Sequence, residues 1–475
     1  MSDPRPSVRL TEEARAPSAQ RVPFWDAFRF WLLLGCINFG GPAGQIATMH
    51  HELVDRRRWI SDARFLHALN YCMLLPGPEA QQLAIYVGWL LHRTVGGLIA
   101  GILFVLPGFF VLLVLSWIYV VHGNVPWVAA IFYGLRAVVI AIVAAAVIRI
   151  GSRALRHPTL TVIAAAAFAA IFLFRVAFPL IVIGAGIVGF LGARFWPGVF
   201  VAPPGGPQAM RGNRPDESSS EGLAIADAGP PEEYTRPSLR RSATVLASCL
   251  AAWWVPLGAV IAWRGLGDVL SQQAIFFSKA AMVTFGGAYA VLTYLAQAAV
   301  ERYGWLATGE MLDGLGLAES TPGPLILVTQ FVGFIAAFRN PGDLPPAVAG
   351  VLGAAVTVWA TFAPSFLWIF LGAPFIERLR GNQFLSGALS AITAAVVGVI
   401  LNLAVWFALH NLFRVVAETA MFGMTLTFPR PQTIDPYAAT IAGVAFVGMW
   451  KYGWGILHVV LGSAIAGLAV HMLAN

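Results

Sequence analysis

Charged residues make up only 11% of this 475-residue chain, less than half of the roughly 25% usual in soluble domains. A fold that meets water over most of its surface is excluded by that shortage. Lysine is nearly absent. Lys279 and Lys451 are the only two, followed by alanine and tyrosine, so there is no GxxxxGK[ST] phosphate loop and no ATP hydrolysis by that route. The three cysteines, Cys36, Cys72 and Cys249, stand apart in apolar surroundings with no CxxC pair. That spacing argues against a disulfide framework and against a zinc site. His51-Glu52-Leu53-Val54-Asp55 lacks the second histidine of HExxH, which leaves no reason to seat zinc there. GxSxG does not occur, and His50-His51 reads as a polar loop feature.

What is abundant is apolar. Hydrophobic residues reach 58% and the mean hydropathy is +0.74. Apolar runs of roughly 20 residues recur, as membrane-spanning helices require, and they lack the period-2 alternation of a transmembrane β-barrel. The fold class is an all-α polytopic membrane protein. The formal charge of +7 and pI near 9.6 fit basic residues at helix ends and in cytoplasmic loops. No basic, aromatic-interleaved soluble segment is present to bind nucleic acid.

Residues 1–22 are polar and read as a disordered cytoplasmic tail, with no apolar core of a signal peptide. A first repeat then spans 23–200, with segments near 24–46, 65–91, 94–121 and 126–150 and two short helices within 158–196. Residues 201–242 hold Pro-Pro-Gly-Gly-Pro, three serines after Asp216-Glu217, and Arg240-Arg241, the composition of a flexible linker. The rest, 243–475, holds an extra helix at about 243–264 and a second repeat. Its segments lie near 272–297, 311–337, 346–374, 383–409, 437–450 and 454–473. The total is about 10–13 membrane helices.

The repeat is explicit. Phe39-Gly40-Gly41 leads to Pro76-Gly77-Pro78, and Phe285-Gly286-Gly287 leads to Pro322-Gly323-Pro324 with the same 36-residue gap. One shift of 246 positions also sets Arg56 on Arg302, Trp59 on Trp305, Leu69 on Leu315 and Asp55 on Glu301, without a gap. Such self-similarity marks a duplicated unit. If the first half spans an even number of times, the extra helix, which has no counterpart before the first repeat, turns the second half over, and inverted repeats are the expected arrangement. Most arginine-bearing loops (Arg149–Arg156, Arg194 with the linker, Glu377–Arg380) then fall on the cytoplasmic side. Loop 50–64, with Arg56, Arg57, Arg58 and Arg64, is the exception. Either the first glycine-broken segment is re-entrant, or Glu52, Asp55 and Asp62 neutralise the loop.

Glycine pairs and Pro-Gly-Pro interrupt helices inside apolar segments. Broken backbone at membrane depth persists only where protein shields it or it lines a cavity. Half-helix N-termini then aim free N–H groups at one place, a natural anion site, and transporters built from paired repeats bind substrate there. Small residues can also serve helix packing alone, but two symmetry-related copies of both motifs favour a site. Polar side chains cluster around the breaks: Asn38, Gln45, Glu79, Gln81 and Gln82 in the first half. Lys279, Thr284, Glu319, Ser320, Thr321, Thr329 and Gln330 follow in the second. Lys279 is an ionisable group within a span, a functional candidate by default. Arg136 and Arg175 also fall in apolar runs; either could help neutralise an anion, and each reads first as a helix-end anchor.

Phe39-Gly40-Gly41-Pro42-Ala43-Gly44-Gln45 and Leu75-Pro76-Gly77-Pro78-Glu79-Ala80-Gln81-Gln82 in the first unit resemble the chromate ion transporter family. In the second unit, Thr284-Phe285-Gly286-Gly287-Ala288-Tyr289 and Glu319-Ser320-Thr321-Pro322-Gly323-Pro324 resemble its C-terminal signatures. The long, two-domain form of that family is the match. The resemblance implies a secondary transporter of the inner membrane that exports chromate and confers resistance to it, coupled to protons or to exchange with sulfate. It implies no enzyme and no cofactor, and a homodimer is an allowed assembly. Thr293 departs from the pattern, standing where a proline often follows Ala-Val-Leu. In this reading the breaks at Gly40-Gly41, Pro76–Pro78, Gly286-Gly287 and Pro322–Pro324 cradle the tetrahedral anion. Lys279 adds charge, while Asn38, Gln45, Gln82, Thr284 and Thr321 donate hydrogen bonds. Glu79 and Glu319 are the proton-coupling candidates. Sulfate or another oxyanion is the alternative cargo, and an intramembrane lipid-phosphate enzyme is a remote second class.

Overall fold

A computed structural model describes residues 22–39, 41–73, 75–123, 125–201, 238–285, 288–375, 383–421 and 424–474. Most of the expected tail, most of the expected linker and the basic loop around Glu377–Arg380 lie outside the described residues. The first half runs α1 Phe24–Ile37, α2 Gly41–His50, α3 Asp62–Cys72, α4 Glu79–His122, α5 Pro126–Ala154, α6 Pro158–Phe172, α7 Phe178–Phe195 and the short α8 Pro197–Phe200. The second begins with the extra helix α9 Leu239–Arg264. It continues through α10 Val269–Val283, α11 Ala288–Ala296, α12 Thr308–Ser320, α13 Val328–Arg339, α14 Pro346–Gly372 and α15 Gln383–Leu412. A hairpin, β1 Val416–Met421 with β2 Met424–Pro429, precedes α16 Pro436–Lys451 and α17 Ile456–Ala474. Among the described residues, seven helices (α4, α5, α7, α9, α14, α15 and α17) are long and apolar enough to cross a bilayer. The protein is a multi-pass membrane protein.

Local signals start and stop these helices. Proline opens α5, α6, α14 and α16, where its missing N–H costs nothing. Asp268 caps α10 by accepting from the Leu270 N–H at 2.8 Å, and Asp435 caps α16 through the Tyr437 and Ala438 N–H groups. These caps satisfy donors that the first turn leaves open. The long run of α4 breaks at His92 (φ −136°, ψ 33°) and Arg93 (φ 54°, ψ −149°). There it folds back, so that Gly88 packs on Gly96 with no room for a Cβ on either.

The two halves repeat down to their irregularities. Short π-helical turns follow α2 and α11, at His51–Arg56 and Gln297–Arg302. Each closes with the same pair of wide bonds. Arg57 and Trp59 N–H donate to the Glu52 and Leu53 carbonyls at 3.1 and 2.8 Å, and Tyr303 and Trp305 to Ala298 and Ala299 at 2.9 and 2.7 Å. Hydrophobicity patterns carry no trace of such a turn, which is the rare i→i+5 form often found at functional places.

The orientation of the halves follows from α4 and α14. Pro107 and Pro364 hold the same place in these equivalent helices. Gly97 of α4 lies against the Phe370 ring of α14, and Gly101 lies against Phe366, so the two spans cross antiparallel. A two-fold relation between antiparallel spans has its axis across them, in the membrane plane, and the halves are therefore inverted repeats. The terminal hairpins are exchanged. Helix α5 packs against α16 and α17, and α15 packs against α6 and α7. Gly134 meets the Ser463 carbonyl and Gly398 the Ala164 carbonyl, each too close for a side chain. Small residues allow this approach where lipid supplies no hydrophobic drive between helices.

Two expectations change. In loop 50–64, Glu52 is buried and pairs with Arg56 at 3.1 Å and Arg57 at 3.4 Å. Asp55 and Asp62 instead face His50 and His51. Glu52 thus neutralises Arg56 and Arg57, and the Arg57 guanidinium also lies 4.7 Å from the Phe30 ring centroid. Arg136 is no helix-end anchor. It stands well inside α5 and forms a bidentate pair with Asp313, because a mid-span guanidinium without a carboxylate would be left charged in apolar surroundings. Arg175, by contrast, lies between α6 and α7 and pairs with Glu301 at 3.6 Å.

Candidate functional site

Helix α1 stops at Ile37 because Asn38 leaves helical geometry (φ −89°, ψ 83°), and α10 stops at Val283 where Thr284 does the same (φ −78°, ψ 93°). Each stop leaves a carbonyl without a helical partner. The other half supplies one. Gly323 N–H donates to the Asn38 carbonyl at 2.9 Å, and Gly77 N–H donates to the Thr284 carbonyl at 2.8 Å. The same shift that superposes the repeats carries one bond onto the other. Both glycines have positive φ, 121° at Gly77 and 106° at Gly323, a conformation only glycine takes without strain. The flanking Pro76, Pro78, Pro322 and Pro324 have no N–H to compete. The breaks of opposite halves are thereby docked on each other, and the helix starts at Gly41, Glu79 and Leu325 adjoin them.

The predicted side chains divide. Gln45 Nε2 donates to the Gly323 carbonyl at 2.5 Å, and Gln82 Nε2 donates to the Pro76 carbonyl at 2.8 Å. Thr284 and Thr321 hydroxyls donate back into their own helices, to the Ala280 and Leu317 carbonyls at 2.7 and 2.6 Å. That use of the proton leaves them as acceptors. Asn38 is buried, and neither amide atom has a partner among the described residues. Gln82 Oε1 is in the same state. Glu319 is buried, with Oε1 accepting from the Tyr289 hydroxyl at 2.7 Å while Oε2 has no partner among the described residues. That hydroxyl lies 3.7 Å from where a Cβ on Gly41 would stand. Glu79 is the first residue of α4 and is half-buried. Gly40, Gly286 and Gly287 lie outside the described residues.

Lys279 is not brought to this cluster. It is exposed on α10 while Ser278 and Ala280 beside it are buried, since the breaks meet another face of that helix. Lys279→Ala is accordingly expected to keep anion flux within about twofold of the parent at equal expression, a change within the usual scatter of exposed substitutions. Flux measured in vesicles checks this.

Sequence reasoning missed Tyr289, Ser365 and the Asp313 group. Ser365 Oγ is buried beside Gly77 and has no partner among the described residues. Its signal was Pro364, the counterpart of Pro107, which places the next residue against a break. Asp313 follows Glu310 by one turn in Glu310-Met311-Leu312-Asp313-Gly314-Leu315, and a carboxylate within an apolar segment calls for a partner. Thr293, at the departure from the proline pattern, donates to the Val399 carbonyl at 3.2 Å.

A chromate transporter family model matches residues 25–190 and 271–468, one stretch in each half. The chain belongs to the chromate transporter family. It is 30% identical over 470 residues to a chromate transport protein of Pseudomonas aeruginosa, covering 98% of this chain and 96% of that one. A chromate transport protein of Cupriavidus metallidurans is 28% identical over 457 residues, with 95% and 99% covered. A probable chromate transport protein of Synechococcus elongatus is 28% identical over 425 residues, with 88% and 94% covered. No solved structure matches this fold. In this member of the family the matched stretches contain both docked breaks.

Proposed function

We propose that the chain is a secondary transporter that exports chromate across the inner membrane and confers resistance to it. The observation that carries this reading is the reciprocal pair of bonds, Gly77 to Thr284 and Gly323 to Asn38. It gathers four helix breaks from two inverted halves at one place, where unpaired polar atoms await a ligand. A tetrahedral oxyanion accepts hydrogen bonds on every side. Asn38 Nδ2 and the opening N–H groups of α2 and α4 are donors of the right kind. The family relatives, named for chromate transport, give the cargo.

Glu319 supplies the coupling. Its unpaired Oε2 repels a dianion when ionised and donates to it when protonated, so anion and proton bind together. Glu79, at the start of α4, is the second coupling candidate. Outward movement of the dianion alone from an electrically negative interior gains about 4–5 kcal/mol at 100 mV, and about half of that when one proton leaves with it. Sulfate has the same shape and charge, and a site built on hydrogen bonds alone discriminates poorly between them.

Uptake of chromate into energised everted vesicles tests the reading, with and without excess sulfate and with and without a pH gradient. Uptake that needs both the protein and an energised membrane is expected, with sulfate competing. Absence of uptake at good expression refutes chromate as cargo and leaves other oxyanions to be assayed. A change of rate with the pH gradient alone reports the proton, and indifference to it removes Glu319 and Glu79 from coupling.

A further inference from the structure

Helices α5 and α12 come from opposite halves and meet along a seam. Gly316 of α12 lies against Leu135 and Val139 of α5, and Gly309 lies against the Arg136 guanidinium. At this seam Arg136 Nε and Nη2 donate to Asp313 Oδ1 and Oδ2, both at 2.6 Å, and the Tyr119 hydroxyl donates to Oδ2 at 2.7 Å. The Asp313 side chain is 0% exposed and that of Arg136 36%, so the pair begins in the core and reaches outward. One turn nearer the start of α12, Glu310 takes both arms of Arg339 at 2.7 and 2.5 Å. Tyr119, Glu310, Asp313 and Arg339 lie where α4 and α13 end and α12 begins, toward one face of the molecule, and Arg136 reaches them from within α5.

The inverted repeat puts the equivalent positions at the opposite face, and there the chemistry does not repeat. The shift of 246 positions sets Arg64 where Glu310 stands and His67 where Asp313 stands. The Asp313 carboxylate therefore has no counterpart at the equivalent position of the first half. The backbone is two-fold symmetric and the ion pair is not.

We propose that Arg136, Asp313 and Tyr119 form a latch that closes one face of the transporter. A bidentate pair whose carboxylate is fully buried is costly to break because that carboxylate is then left as an uncompensated charge. Opening this seam requires the Asp313 carboxylate to be hydrated again, so the latch biases the resting population toward the state in which this face is shut. The inference rests on the transport reading, because a latch has meaning only where two faces open in turn.

The test uses the full chain with Cys36, Cys72 and Cys249 replaced and with Val139→Cys as reporter. Val139 is buried and faces Gly316 across the seam. Labelling by a membrane-impermeant maleimide is measured in right-side-out and in everted vesicles. With the latch intact, labelling is slow from both sides. Asp313→Asn is expected to speed it about tenfold from one side only, and the exchange of charges, Arg136→Asp with Asp313→Arg, to slow it again. Tyr119→Phe, which keeps the pair and removes one bond, is expected to give about threefold; it decides the matter if Asp313→Asn does not fold. Unchanged labelling in folded variants, or equal acceleration from both sides, overturns the latch and leaves a merely structural ion pair. The readout needs no chromate. One-sided acceleration in a protein that moves no chromate upholds the latch and refutes the cargo.

Discussion

Gly77→Ala and Gly323→Ala are each expected to lower chromate uptake by about ten- to a hundredfold, corresponding to roughly 1–3 kcal/mol of backbone strain at the docked breaks. Two effects combine. The positive φ of both residues places any Cβ in conflict with its own backbone. At Gly77 that Cβ would stand 2.8 Å from Gln82 Nε2 and 3.3 Å from Ser365 Oγ; at Gly323 it would meet Leu327 Cδ1 at 3.0 Å. Relief of either clash moves the N–H that holds the opposite half. Because the two bonds are reciprocal, the substitutions are expected to give matching losses, and the double variant little more than either alone. Gly258→Ala is the control, since nothing lies within 4 Å of the added carbon. Flux at matched expression measures all four. Full flux in Gly77→Ala would show that the docked break does not shape the transport path.

Much of this arrangement was legible beforehand. The 246-position shift depends only on residue identity, and it located both breaks and the extra helix α9. Helix existence followed from long apolar runs, which bilayers enforce strictly. Other features depend on contacts between distant segments. The π turns after α2 and α11 leave no periodic trace, because one added backbone residue per turn does not alter which side chains are apolar. The hairpin β1–β2 lies in the stretch between the apolar segments that end near 409 and begin near 437, where hydropathy reports nothing. The inward side of α10 was the least legible. A lone lysine in an apolar run draws notice, yet helical rotation alone decides whether it meets the breaks, and here Ser278 turns inward while Lys279 is exposed. Arg136 was misjudged for the converse reason. Its partner Asp313 is far away in sequence, and a bidentate pair is visible only once α5 and α12 are side by side.

Asn38→Leu is expected to separate transport from stability. Leucine has the same branching as asparagine and no polar atoms, so it fills the place without opening a cavity. Asn38 is fully buried, and both Oδ1 and Nδ2 lack partners among the described residues. Each buried polar atom left unpaired costs on the order of 1–3 kcal/mol, a cost that leucine removes. The Asn38 carbonyl, which accepts from Gly323, belongs to the backbone and survives the change. A residue kept only for the fold would therefore lose nothing when replaced, and the melting temperature of the purified protein is expected to stay level or rise. Chromate uptake is expected to fall at least about tenfold, the effect of losing one donor to a charged ligand in a desolvated site. Opposite movements of the two measurements mark a group held against its own stability for the sake of a ligand. If melting temperature and uptake instead fall together, Asn38 is a structural residue, and the donors to the anion are reduced to the helix N-termini around it.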